Sequence, residues 1–171
     1  MHRVGVALIA FSVGFFAYKP PLAAQLPARH AISLTLGPSP YDLSGVGTAF
    51  AANAGFAWRP VGTGLVVEAG AGLFRYVDQG SSRVTWLFPE LSVQGELPVG
   101  RAFPYLGGGV GYGRQSSAFG SSWEPTLHLV GGLRIQTGSS WGLRTEMRIR
   151  AVDPFGGNTV DFGAGLIRNL R

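Results

Sequence analysis

The segment WGLRTEMRIRA, residues 141–151, is the stretch that decides the fold class, because its side chains alternate in character. One parity is mostly apolar and consists of Trp141, Leu143, Thr145, Met147, Ile149 and Ala151. The other parity carries the charges and consists of Gly142, Arg144, Glu146, Arg148 and Arg150. Successive side chains of a β-strand point to opposite faces, so the segment predicts a strand with one apolar and one charged face.

The same two-residue period recurs along the chain. It is found at 30–36, 50–58, 65–73, 84–97, 103–113, 127–135 and 159–171. The connections alternate between short turns, at 59–64, 98–101 and 136–140, and longer loops, at 37–47, 78–83, 113–122 and 152–158. Eight strands of roughly ten residues in an antiparallel meander make the smallest membrane barrel. We therefore predict an all-β, antiparallel up-and-down membrane β-barrel of about eight strands.

The direction of the apolar face separates this prediction from its main alternative. A membrane barrel turns the apolar parity towards lipid and encloses the charged one. A soluble periplasmic barrel of the lipocalin type has the opposite arrangement, with the apolar parity inside.

The sequence at the N-terminus favours export. Arg3, the apolar run 4–18 and the small residues Ala23 and Ala24 have the layout of a secretory signal peptide. We predict a cleaved signal peptide at 1–24 and a barrel domain at 25–171.

The composition narrows the class of protein further. Glycine accounts for 27 of 171 residues, which argues against an all-helical fold, and cysteine is absent. The formal net charge is +5. An export signal and the lack of a Lys/Arg cluster argue against nucleic acid as a partner. Anionic lipid head groups suit a basic exported protein better.

Charged residues on the less apolar face form the candidate site. They are Glu68, Glu90, Glu96, Arg134, Arg144, Glu146, Arg148 and Arg150, with Asp161 as a further acid. An eight-stranded barrel is just wide enough for side chains to fill it. Acids and guanidinium groups enclosed there should pair, so we predict a structural interior charge network. A small polar pore is the alternative.

Catalytic and cofactor chemistry has little support in the sequence. A lipid-A-modifying hydrolase would have His128 and Glu146 as its only plausible centre, with Thr126 as a poorly placed nucleophile. The glycine run 107–113 lacks the Lys-Ser/Thr and the helix of a phosphate-binding loop. We predict that the protein is not an enzyme and has no catalytic, cofactor or metal site.

Aromatic residues fall near the predicted strand ends, as expected for a girdle at the two membrane interfaces. They are Trp58, Trp86, Trp123 and Trp141, with Tyr41, Tyr76, Tyr105 and Tyr112.

Three segments carry a resemblance to a known family. FPYLGGGVGYG at 103–113, GGLRI at 131–135 and WGLRTEMRIR at 141–150 resemble the outer-membrane barrels that include the small OmpA-like and OmpX-like proteins. In that family the final strand usually ends in an aromatic residue, whereas GLIRNLR at 165–171 has none. The resemblance implies a bacterial outer-membrane location. We expect a monomer inserted by the barrel-assembly machinery, with outer-membrane lipids and lipopolysaccharide as partners and a structural or surface-interaction role.

Overall fold

The computed structural model describes residues 28–40, 48–77, 83–117, 120–153 and 157–170. The predicted signal peptide at 1–24 lies outside these residues. No helix within the described ranges is long and apolar enough to cross a membrane.

Eight antiparallel strands form one closed barrel. They are β1 (His30–Pro40), β2 (Thr48–Trp58), β3 (Leu65–Val77), β4 (Arg83–Glu96), β5 (Ala102–Ser117), β6 (Gly120–Gln136), β7 (Trp141–Val152) and β8 (Gly157–Leu170). Each strand pairs with its neighbours in sequence, and β1 also pairs with β8, from His30 opposite Leu170 to Leu36 opposite Ala164. This closure satisfies the edges that an open sheet would leave unpaired. The predicted eight-stranded up-and-down barrel is confirmed.

Several strands continue into segments that the sequence predicts as loops. β1 reaches Pro40, and β5 and β6 stay paired up to Ser117 opposite Gly120. The predicted loop at 113–122 is therefore mostly the end of a hairpin. Its Ser-rich sequence has no apolar alternation, but backbone hydrogen bonds between strands do not require one.

The side chains of β7 show which face is enclosed. Trp141, Leu143 and Met147 are exposed on the outside, whereas Arg144 and Arg150 are buried. The same division holds around the barrel, where large apolar side chains of every strand lie on the outer surface. The barrel therefore has an apolar exterior and a charged interior, the arrangement of a membrane barrel and not of a lipocalin.

Candidate functional site

The eight charged residues singled out from the sequence all lie in the barrel interior. The acids come from β3 and β4, and the arginines from β6 and β7, which also carries one acid. They are Glu68 on β3, Glu90 and Glu96 on β4, Arg134 on β6, and Arg144, Glu146, Arg148 and Arg150 on β7. Every one is buried. We call this set, with Arg59 and Asp161, the interior charge network.

The middle of the network crosses the barrel from one wall to the other. Arg144 donates two hydrogen bonds to Glu68, from Nη1 to Oε2 at 2.6 Å and from Nη2 to Oε1 at 2.9 Å. β3 and β7 are four strands apart in a barrel of eight, so they face each other across the lumen. Arg144 also donates from Nε to the hydroxyl of Tyr105 at 3.0 Å. The two-bond fork holds both side chains in one orientation.

Glu146 lies beside this fork. Its Oε2 is 2.7 Å from Nη2 of Arg144 and 3.5 Å from Nη2 of Arg148. Its Oε1 accepts a hydrogen bond from the hydroxyl of Thr35 at 2.8 Å. Glu146 therefore pairs with two guanidinium groups of its own strand and accepts hydrogen bonds from two hydroxyls, that of Thr35 on β1 and, at 3.4 Å, that of Tyr105 on β5.

Glu90 and Asp161 anchor the half of the network that is nearer to the long loops. Glu90 accepts from Nη1 of Arg148 at 2.6 Å, and from Nε and Nη2 of Arg150 at 2.5 and 3.0 Å. Arg150 also forms an ion pair with Asp161, which accepts from the hydroxyl of Ser39 at 3.1 Å. Here too β7 reaches across the lumen, to the wall formed by β4.

Glu96 anchors the opposite half, near the chain termini. It accepts from Nε and Nη2 of Arg59 at 2.9 and 3.2 Å, and it forms an ion pair with Arg134. Arg134 donates to Gln94 at 2.5 Å, and its guanidinium carbon lies 3.9 Å from the ring centre of Tyr105. The network thus extends over most of the length of the lumen.

Formal charge is balanced inside the described part of the barrel. Five buried acids, Glu68, Glu90, Glu96, Glu146 and Asp161, accompany five buried arginines, Arg59, Arg134, Arg144, Arg148 and Arg150. An unpaired charge would be very costly in such surroundings, and pairing with additional hydrogen bonds offsets that cost. The part of the interior that the structure describes is therefore close to neutral.

A cluster of rings covers the loop-side end of the network. Phe74 on β3 packs edge-on against Phe88 on β4, with 5.2 Å between the ring centres, and Trp86 stacks on Phe88 with 5.4 Å between the ring centres. The guanidinium carbon of Arg150 lies 5.0 and 4.9 Å from the ring centres of Phe74 and Phe88, within cation–π range. These rings pack with Ala51, Val84 and Val152. We call Phe74, Trp86 and Phe88 the aromatic cap.

Two residues of the predicted girdle lie inside the barrel instead of at its outer surface. Trp86 and Tyr105 are 8% and 3% exposed and face the interior, so the prediction is wrong for them. Trp86 shares its face of β4 with Glu90, so strand parity, and not nearness to a strand end, determines that its ring faces the interior. The exposed members of the predicted girdle are Trp58, Trp123, Trp141 and Tyr112. Tyr41 and the side chain of Tyr76 lie outside the described part.

Glycines on the inner face make room for the large polar side chains. A Cβ atom on Gly72 would lie 2.6 Å from Nη2 of Arg150 and 2.8 Å from Oδ1 of Asn53. A Cβ atom on Gly109 would lie 2.7 Å from the ring of His128. At both positions a residue with a Cβ atom would have to displace the neighbouring side chain. The glycine run 107–113 is thus part of a strand whose inner face accommodates side chains from its neighbours.

The geometry around His128 does not form a hydrolase centre. His128 is buried on β6 with Nδ1 3.5 Å from Oε1 of Glu90, and Glu146 pairs with arginines instead. Thr126 and His128 share the inner face, but neither the hydroxyl of Thr126 nor the ring nitrogens of His128 have a hydrogen-bond partner in the described part of the chain. A nucleophile would have to be hydrogen-bonded to its base and reachable by lipid. In addition, no group of three or more His, Cys, Asp or Glu residues in the described ranges could hold a metal ion.

Arg59 is a member of the network that the predicted strands do not include. It directly follows β2, in a segment predicted as a turn, and it is 7% exposed. Its position continues the inward parity of Asn53 and Ala57, so strand parity extended by one residue could have identified it. No comparable signal marks the contact between His128 and Glu90, which depends on the register between β4, β5 and β6.

No family model and no curated protein matches the sequence. Similar solved structures include Neisserial surface protein A, with a TM-score of 0.71 and 13% identity over 85% of this chain and 100% of that chain. The N-terminal β-barrel domain of Pseudomonas aeruginosa OprF has a TM-score of 0.54 and 14% identity over 85% and 100% of the two chains. The chain has the fold of the small outer-membrane barrels. Ail, the attachment invasion locus protein of Yersinia pestis, gives a TM-score of 0.52 and 15% identity over 83% and 99%. The resemblance expected from the sequence is confirmed at the level of the fold.

Proposed function

We propose that this protein is a non-enzymatic barrel of the bacterial outer membrane, with a lumen closed by its own side chains and a structural or surface-interaction role. In this proposal residues 1–24 are a cleaved export signal, and residues 25–171 fold in the membrane. The observation that carries it is the division of the side chains, with apolar residues outside and paired charges inside.

The outer surface supports a lipid environment. Exposed apolar side chains occur on all eight strands, among them Leu34, Leu91, Val110, Leu129 and Phe162. Soluble monomers rarely expose contiguous apolar patches of more than a few hundred Å². A surface with this pattern all around a barrel would be unstable in water and is well solvated by acyl chains.

The interior supports a structural role for the charge network. Guanidinium groups of β7 bond to carboxylates on β3 and β4, so these contacts extend across the lumen instead of lining its wall. The aromatic cap adds an apolar layer above them. A solute pathway would require these contacts to open together, and we therefore favour a closed lumen over a pore.

The exposed charges support anionic lipids as partners. Within the described residues the exposed arginines lie outside the network, and the exposed acid is Asp153. These arginines are Arg29, Arg75, Arg101, Arg114 and Arg168. They lie towards the two ends of the strands, where head groups and lipopolysaccharide phosphates would meet the barrel. We infer a monomer inserted by the barrel-assembly machinery. The attachment protein Ail, which shares the fold, supports a surface-interaction role.

Cell fractionation tests this proposal. The full-length protein should be recovered with outer membranes on a density gradient and should require detergent for extraction. Its mature mass should correspond to a chain that begins at Gln25. Recovery in the periplasmic fraction without detergent would contradict the membrane assignment and favour a soluble barrel.

A further inference from the structure

The outer surface of the barrel has an apolar groove at the seam where the barrel closes. It runs over β1, β7 and β8 with a volume of about 410 Å³ and is lined by Ile32, Leu34, Leu36, Trp141 and Leu166. Its floor includes Ala164, which lies on the outward parity between the larger side chains of Phe162 and Leu166. A small side chain between two large ones leaves a depression. We call it the seam groove.

One end of the seam groove carries a positive charge. Arg168 lines the groove and is exposed, and in register it lies opposite Ile32 on β1 and Trp141 on β7. Its guanidinium carbon is 5.5 Å from the centre of the Trp141 ring. No acidic side chain in the described part of the chain forms an ion pair with Arg168. The groove therefore combines an apolar channel with a cation near the chain termini that no acid of the described residues compensates.

We propose that the seam groove is a binding site for a phospholipid of the inner leaflet of the outer membrane, because Arg168 lies at the end of the barrel with the short turns, which is the periplasmic end in barrels of this kind. One acyl chain lies along Leu34, Leu36 and Ala164, and the phosphate bonds to Arg168. The distance between Ala164 and Arg168, four residues of strand, is about 13 Å, which suits an acyl chain that descends from a head group. The proposal rests on the membrane location proposed above.

Charge favours a lipid over a second copy of the chain in this groove. In a symmetric dimer whose axis is normal to the membrane, both copies hold Arg168 at the same depth. The two guanidinium groups would then approach each other without an intervening acid, and like charges repel. A phosphate at this position is attracted, and the Trp141 ring packs against the same guanidinium.

Native mass spectrometry of the detergent-refolded protein tests the proposal. The probes are dimyristoyl phosphatidylglycerol and dimyristoylglycerol, which has the same acyl chains and no phosphate. The variants are Arg168→Gln, which removes the charge, and Ala164→Leu, which fills the groove from the lipid side. The matched controls are Arg101→Gln, an exposed arginine near the same end of the barrel, and Ala71→Leu, an exposed alanine on β3. Heat-modifiable migration on gels verifies that each variant is folded.

The wild type should retain one phosphatidylglycerol more tightly than dimyristoylglycerol. Arg168→Gln should weaken this binding about fivefold, as expected for one arginine at a lipid head group, and Ala164→Leu should weaken binding of both lipids. The controls should bind as the wild type does. Equal retention of the two lipids, no effect of Arg168→Gln, or a dimer that Ala164→Leu dissociates would each overturn the proposal. If Ala164→Leu fails to fold, the preference of the wild type for phosphatidylglycerol over dimyristoylglycerol and the effect of Arg168→Gln still test the proposal. If the protein fractionates with the outer membrane but does not distinguish the two lipids, the proposed lipid site is refuted and the proposed membrane location is not.

Discussion

Arg144 on β7 and Glu68 on β3 face each other from opposite walls of the barrel and are joined by two hydrogen bonds of 2.6 and 2.9 Å. Arg144 is 1% exposed, so water contributes little to its solvation. The pair is a strut across the middle of the lumen. It links the position of one wall to that of the other, and further struts from Arg148 and Arg150 to Glu90 lie next to it.

Replacement of Glu68 by alanine should destabilise the barrel strongly. The change leaves Arg144 buried with only part of its compensation, and the loss of one partner of a buried pair typically costs about 3–5 kcal/mol. We expect the urea midpoint of unfolding in detergent or lipid vesicles to fall accordingly. Glu124→Ala is the control, because Glu124 is half-buried on β6 and takes no part in the interior charge network. Equal effects of the two substitutions would argue against the strut.

Glu146→Ala should lower the melting temperature without abolishing folding. Glu146 is bonded to Arg144, Arg148 and Thr35, but both arginines keep a bond to another acid, Glu68 or Glu90. The matched variant Thr35→Val removes only the 2.8 Å hydroxyl bond and should cost about 1 kcal/mol. Thermal unfolding followed by circular dichroism compares them. A larger effect of Thr35→Val than of Glu146→Ala would contradict the assigned contacts.

The aromatic cap should contribute to stability as a packed core does. Phe88 is fully buried between Phe74 and Trp86, so Phe88→Ala leaves a cavity and should cost about 3–5 kcal/mol. Phe56 is 45% exposed on the outer surface, where acyl chains can fill the space that its ring leaves, so Phe56→Ala should lose only the transfer of the ring out of water, about 2 kcal/mol. Denaturant unfolding in the same vesicles gives both values. If the two changes were equivalent, the rings of the cap would not be packed as described.

His128→Ala should leave membrane lipids unchanged. His128 is enclosed beside Glu90 and has no bonded nucleophile in the described part of the barrel. Mass spectrometry of lipid A from cells that express the wild type, the variant or neither protein should give one acyl pattern. An acyl pattern that depends on the wild type and is lost in the variant would show that the protein is an enzyme.

The strand pattern in the sequence predicts the barrel because every strand has one face towards the apolar outside and one face towards the lumen along its whole length. For that reason the parity of Arg144, Glu146 and Arg148 places them inside without any knowledge of the structure. Parity does not tell which acid meets which arginine, since those contacts span strands that are far apart in sequence. Nearness to a strand end misleads at Trp86, whose parity is that of Glu90 and places its ring inside the barrel. There, two of the cap rings, Phe74 and Phe88, contact the guanidinium of Arg150.

Single-channel recording in planar bilayers tests most directly whether the lumen is closed. Purified wild-type protein, shown to be folded by its heat-modifiable migration, should insert and give no steady, resolvable conductance step, because the struts between β7 and the opposite wall occupy the lumen. Steady and reproducible single-channel steps from the folded wild type would show that the charges line an open pathway and would contradict the account.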